Sequence, residues 1–285
     1  MLVDAGLVLE GGAMKGVYTA GVLDFFLDKD IQFAKIYGVS AGACEAINYA
    51  AKQRERGYRV FTDYLHTTDF CSPASMLKTG DYFNVAVAYD LIPNYYDPFD
   101  YETFTQYPGE VYAVVTNVKT GKPEYIRLTD MRDTKQMEFL RASASMPLVS
   151  RKVWIDGVPY LDGGISDSIP IMHSIKEGNK KNVVVMTKQK GYRRGPAYEL
   201  PLIKMRYCKY PKVYDVMQCR QFSYNACVDE IERQVAAGET FLLQPKDERD
   251  VSRVEKDTKK LRLLYEDGYE DAKNSYEQLK EYLGI

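Results

Sequence analysis

The chain has 285 residues, with 38 Lys and Arg against 40 Asp and Glu; a net charge of −2 excludes the strongly basic surface that nucleic-acid binding draws on. Hydrophobic residues at 45% and charged residues at 27% exclude global disorder, and the length suffices for one sizeable core. The five cysteines (Cys44, Cys71, Cys208, Cys219, Cys227) contain no CxxC pair and read as scattered reduced thiols of a cytoplasmic protein.

The opening Met1-Leu2-Val3-Asp4-Ala5-Gly6-Leu7-Val8-Leu9-Glu10 has no basic segment ahead of an apolar run that Asp4 and Glu10 interrupt. It reads as folded chain rather than signal peptide, and no later run of 18 apolar residues offers a membrane span. Residues 6–9 predict a buried strand, the glycines at 11, 12 and 16 a tight loop, and residues 17–27 an apolar helix. Residues 33–38 make a second strand and 41–54, rich in alanine, a second helix. Strand, helix, strand, helix at this spacing predicts a parallel sheet with right-handed crossovers.

Between 69 and 108 the pattern loosens around Pro73, Gly80, Pro93 and Pro98, predicting a helical, loop-rich insertion over a site. Residues 110–118 and 123–128 predict a hairpin, and 134–145 a helix. Asp156-Gly157 between two short β-rich runs is a second hairpin signal, whose outgoing arm leads straight into Asp162-Gly163-Gly164. Strands are expected at 182–187 and 241–244. After Val251 the apolar spacing suits two amphipathic helices hinged near Asp267-Gly268.

Three motifs carry chemistry. Gly38-Val39-Ser40-Ala41-Gly42, between a strand and a helix, has the spacing of a strained turn that exposes a nucleophilic serine, though the same residues also suit a plain helix cap. Glu10-Gly11-Gly12-Ala13-Met14-Lys15-Gly16 is a glycine-rich turn whose N–H groups converge on negative charge, either phosphate or oxyanion; it matches neither a P-loop nor a dinucleotide fingerprint. Lys15 could add positive potential there, or be a solvated helix-start lysine. Asp162 ends a strand, so it is expected on the rim where α/β sites lie, or in an ordinary turn. The two histidines, His66 and His173, are scarce for a triad, although His173 follows Asp162 in the order that hydrolases use. Neither sits in a metal-ligand spacing.

Gly11-Gly12-Ala13-Met14-Lys15-Gly16, Gly38-Val39-Ser40-Ala41-Gly42, Arg141-Ala142-Ser143-Ala144-Ser145-Met146-Pro147 and Asp162-Gly163-Gly164, in that order, resemble the conserved blocks of the bacterial-type patatin-like phospholipases. The resemblance covers roughly residues 5–190. It implies a three-layer α/β/α core with a mainly parallel central sheet and a Ser-Asp dyad in place of a triad. Ser40 would then be the nucleophile, Asp162 its base, and the backbone of Gly11, Gly12 and Ala13 the oxyanion hole. The family has a third glycine where this chain has Ala13; alanine resists positive φ, so a reshaped loop or a weakened third donor is expected.

The expectation is a catalytic core over 1–190, with the insertion at 69–108, and a C-terminal extension over 191–285 ending in amphipathic helices. Its activity would be acyl-ester hydrolysis on phospholipid or lysophospholipid through an acyl-enzyme, without metal or organic cofactor and without nucleic acid. The alternatives are a non-lipid esterase or thioesterase, and a catalytically weak acyl-lipid-binding regulator. The 24 tyrosines and the basic stretches 188–194 and 204–212 suit either peripheral membrane contact or ordinary packing and solvation.

Overall fold

The computed structural model describes residues 1–65 and 70–285, so His66 and the first residue of the expected insertion lie outside the described residues. The chain begins with β1 (Leu2–Leu9), α1 (Gly16–Asp28), β2 (Gln32–Val39) and α2 (Ala41–Ala50). β1 starts four residues before the apolar run because Val3 and Ala5 point inward while Leu2 and Asp4 face solvent, the alternation of a half-covered strand. α2 stops short of residue 54, where the chain turns through Lys52 and Glu55, both at positive φ.

The loosely patterned region holds α3 (Arg56–Thr62), α4 (Pro73–Thr79), a π-type helical stretch at Val87–Tyr96 that accommodates Pro93, and α5 (Tyr101–Thr105). Next come β3 (Glu110–Asn117), β4 (Pro123–Leu128), α6 (Thr134–Ser143), β5 (Val153–Ile155), β6 (Val158–Asp162), α7 (Ile171–Lys176) and β7 (Asn182–Val185). The chain continues through α8 (Leu200–Arg206), α9 (Pro211–Ala236), β8 (Thr240–Leu243), α10 (Thr258–Asn274) and α11 (Tyr276–Leu283).

The strands form one sheet in the order β5-β6-β3-β2-β1-β7-β8, with β4 also paired to β3. β3, β2, β1, β7 and β8 run parallel, and Leu9 pairs with both Gly38 and Val185, so their C-terminal ends reach one rim. Side chains alternate between two covered faces. Leu7 and Leu9 join Phe33 and Ile36 beneath α1, α2 and α10, whereas Val8, Tyr37 and Val184 pack with Tyr224, Val228 and Ile231 of α9 on the other face. The result is the expected α/β/α layering with a mainly parallel sheet and C-terminal helices.

The Asp156-Gly157 turn forms the expected hairpin of β5 and β6; β6 also pairs antiparallel to β3, and Asp162 stands opposite Val115. Because Val39 pairs with Val114, this register still brings Asp162 beside the end of β2. The hinge expected at Asp267-Gly268 is absent, since α10 runs unbroken through Gly268 and the break comes at Ser275. Gly268 serves a close approach instead: a Cβ there would lie 2.1 Å from the Tyr18 carbonyl oxygen of α1, and one on Gly21 would lie 2.0 Å from the Tyr265 oxygen. These two glycines let α1 and α10 pack backbone to backbone.

Candidate active site

β2 ends at Val39, and Ser40 takes φ 55° and ψ −122° before α2 begins. That conformation is unfavourable for a residue with a Cβ and persists only where the surroundings fix it. They do so on three sides. A Cβ on Gly38 would lie 2.5 Å from the Ala43 Cα, and one on Gly42 2.6 Å from the Leu9 oxygen, so only glycine fits at either flank. The Ser40 N–H donates to Ser143 Oγ at 2.9 Å, and Ser143 Oγ donates to the Val114 oxygen at 2.7 Å.

The end of α6 thus anchors the serine, and the turn that follows anchors the aspartate. Asp162 N–H donates to the Ser145 oxygen at 2.9 Å, and Ser145 Oγ is held by the Arg141 oxygen at 2.8 Å. The sequence motif around Ser143 and Ser145 was visible, but nothing in its spacing told that it would hold both other motifs.

The Asp162 carboxyl is buried. Its Oδ1 accepts the Gly164 N–H at 2.7 Å, whereas Oδ2 has no fully aligned partner. The hydrogen-bonding side chain that faces this carboxyl is Ser40. Burial raises the proton affinity of Asp162; the Ser40 hydroxyl, the Gly164 N–H and the charges of Arg220 and Arg253 pull against that rise. A carboxylate with one oxygen tied down and the other free toward a serine hydroxyl has the arrangement of a general base.

The glycine loop approaches from the end of β1. A Cβ on Gly11 would meet the Ser40 Cβ and the Val39 oxygen at 3.0 Å, and one on Gly12 would overlap Thr187. Among the described residues no backbone oxygen takes the N–H of Gly11, Gly12 or Ala13, which leaves these donors beside the serine. Ala13 sits at φ 49°, in the left-handed region that alanine resists, at a cost of about 1–2 kcal/mol. The loop is fastened by buried Glu10, whose carboxylate accepts from Thr187 N–H and from the Tyr224 hydroxyl, both at 2.7 Å.

Lys15 does not stand free as an anion ligand. It is buried and ion-paired to Glu248, whose other oxygen lies 3.6 Å from Lys188. Burial, reinforced by the neighbouring Lys15, pushes Lys188 down to about 7. His173 takes no part in the site: it stacks on Tyr125 with ring centroids 3.4 Å apart and meets Tyr37 edge-on.

Ser40 and Ala13 open into a cavity of about 500 Å³, within the range of small-ligand sites. Its walls are mainly apolar, with Ile47 of α2, Leu140 of α6 and, from the loosely patterned region, Phe70, Phe83 and Ile92. Arg253 and Val254, between β8 and α10, also line it, as do the charged Glu45, Arg56 and Glu199. No helix among the described residues is long and apolar enough to cross a membrane.

Known protein families match this chain over most of its length. The sequence profile of the patatin-like phospholipases matches residues 7–175, and that of a domain of unknown function (DUF6363) matches residues 210–284. The chain is 30% identical over 193 residues to the uncharacterized protein YjjU of Escherichia coli strain K12, covering 64% of this chain and 51% of that protein. It is 23% identical to the probable lipid hydrolase 463L of invertebrate iridescent virus 6, over 62% of this chain and 65% of that one. It is 24% identical to lysophospholipase nte1 of Aspergillus terreus over 60% of this chain but only 11% of the fungal protein. The match therefore spans about half of YjjU, just under two thirds of the viral protein and about a tenth of the fungal one. Among solved structures, VipD from Legionella pneumophila superposes with a TM-score of 0.50 at 12% identity, over 96% of this chain and 67% of VipD, a likeness of fold alone.

Proposed function

We propose that this chain, which belongs to the patatin-like phospholipase family, hydrolyses the acyl ester of a lipid with Ser40 as nucleophile and Asp162 as its base. The observation that carries the reading is the strained Ser40 facing a buried, half-partnered Asp162 carboxyl at the mouth of an apolar cavity. Asp162 takes the hydroxyl proton as Ser40 Oγ attacks the ester carbonyl. The N–H groups of Gly11, Gly12 and Ala13 receive the charge that develops on the carbonyl oxygen. Collapse releases the alcohol, which leaves with the proton from Asp162, and a water deprotonated by the same carboxylate frees the fatty acid. Residues 1–190 would form the catalytic core and 191–285 an extension packed on it, and the apolar lining suits an acyl chain.

Labelling with a fluorophosphonate probe tests this. The wild-type chain should label and should release fatty acid from dispersed lysophospholipid. Ser40→Ala should lose both, and Asp162→Asn should slow both by about 10³-fold or more, as when a triad serine loses its orienting partner. Labelling that survives Ser40→Ala at a wild-type rate would remove the reading. Hydrolysis of short esters alone, with lipid untouched, would favour the non-lipid esterase.

A further inference from the structure

Arg220, on α9, keeps its Nε buried and without a hydrogen-bond acceptor among the described residues. It lines a small pocket with Ser166, Ser168, Ser223 and Tyr224, apart from the catalytic cavity. The turn that follows Asp162 lies between this arginine and the base. Gly164 N–H donates to Asp162 Oδ1 at 2.7 Å, and a methyl group placed on Gly164 would lie 3.1 Å from that oxygen and 3.3 Å from Arg220 Nη2. The two charges therefore face one another across a single glycine without forming an ion pair.

Asp162 needs such a counter-charge. Burial favours its protonated form, and a protonated carboxyl takes nothing from Ser40. A direct ion pair would keep the charge but occupy the oxygen that is free toward the serine. A guanidinium one glycine away stabilises the carboxylate through space and leaves that oxygen open. The other groups that face Asp162 do not replace it. Arg253, between β8 and α10, is exposed, so water screens its charge. Burial pushes the Cys44 thiol up to about 12 and raises the Tyr89 hydroxyl, so both meet Asp162 uncharged. Arg220 is itself faced by Arg194, Arg253 and Glu199. Asp167 and Tyr224, which share its pocket, are engaged with Tyr125 and Glu10.

We infer that Arg220 is the positioning residue that keeps Asp162 ionised as the base for Ser40, so that the C-terminal segment completes the active site. The inference rests on the acyl-hydrolase reading for the role of Asp162. Arg220 falls in the stretch 210–284 that matches the domain of unknown function, and outside the stretch 7–175 that matches the phospholipase profile. A segment whose own motifs announce no chemistry thereby takes a part in catalysis.

The pH dependence of the full-length protein tests this. In kcat/KM for a soluble short-chain ester, Arg220→Gln should move the acid-side limb up by about one pH unit or more, with activity largely recovered at higher pH. Arg220→Lys, which keeps the charge, should undo at least about half of that shift, and Arg253→Gln should move the limb much less. Glu45 and Lys188 also titrate near the site, but every variant shares them, so the difference between variants reports Arg220. A limb that stays in place in Arg220→Gln, a uniform loss at every pH, or a shift that Arg220→Lys does not reduce would overturn the inference. The carbon-13 signal of the Asp162 carboxyl, assigned by its loss in Asp162→Asn, reads the same charge without turnover. It should report a carboxylate in the wild type at neutral pH and titrate higher in Arg220→Gln. A protonated Asp162 in the neutral wild type would overturn the inference even where the variants fail to fold. A protein that never labels at Ser40 yet shows the shifted carboxyl titration would remove the hydrolase reading and leave the charge pairing standing.

Discussion

Glu45 lies one turn along α2 from Ser40 and lines the same cavity, yet it is buried, and burial with the nearby Asp24 pushes its carboxyl up to about 8. The folded chain therefore keeps a proton that the unfolded chain releases above about pH 4.5, and stability should fall as pH rises from about 4.5 to 8. Asp24, raised to about 6 chiefly by burial, adds the same sign over the lower part of that window. Glu45→Gln should flatten the decline; urea denaturation of both proteins at pH 5 and pH 8 measures it, and an unchanged difference between the two pH values would contradict the assignment. At the same scale, Ser40 was legible because its neighbours are glycines, and a flanking glycine announces a close approach whatever the function. Ala13 stands at a positive φ that alanine resists, in a loop fastened through Glu10 to Thr187 and Tyr224. Those partners lie 177 and 214 residues away in the chain, beyond the reach of local spacing.

Elements legible from local pattern were those whose neighbours are also local. β1, α1, β2 and both hairpins follow from apolar runs punctuated by Gly and Asp-Gly, and their bounds came within a few residues. α9 escaped because polar side chains are interleaved with apolar ones along its whole length; its inward positions Val213, Met217, Tyr224, Val228 and Ile231 keep a helical spacing that a longer window would have caught. The direction of β6 and the continuity of α10 depended on partners, β3 and α1, that no window contains. The end of α6 and the turn after it are where the Ser40 and Asp162 segments meet, and Ser143 is the keystone. Ser143→Ala leaves the Ser40 N–H and the Val114 oxygen without their partner, which should cost about 1–3 kcal/mol in urea denaturation. The same variant should lower kcat far more than it raises KM, because the cavity proposed to receive the acyl chain is untouched. A rise in KM alone would show that the elbow does not depend on this clamp.

For the whole molecule, the C-terminal third shares one core with the rest rather than standing beside it. Leu261, Leu264, Tyr265 and Leu279 belong to the same buried cluster as Leu7, Phe26 and Phe33, and the Tyr265 hydroxyl reaches Asp24 of α1 at 2.6 Å. Tyr18 answers from α1 with a hydrogen bond to Asp271 of α10 at 3.1 Å. Composition and length were compatible with one such core, but amphipathic spacing reports only that a helix has a buried side, not which surface covers it. The extension read from sequence is therefore structural as well as terminal.

β8 adds a last consequence. It is the outer neighbour of β7, pairing Asn182 through Val185 with Thr240 through Leu243. Without it, Asn182-Val183-Val184-Val185 becomes a bare strand edge of three valines with unpaired N–H and C=O groups, a template for joining another chain edge to edge. A fragment ending at residue 190 should accumulate as insoluble aggregate rather than as a smaller working enzyme, which sedimentation of the expressed fragment would reveal. Recovery of a soluble, monomeric 1–190 fragment would refute that account, in which the stretch from 240 to 243 stands guard over the sheet's solubility.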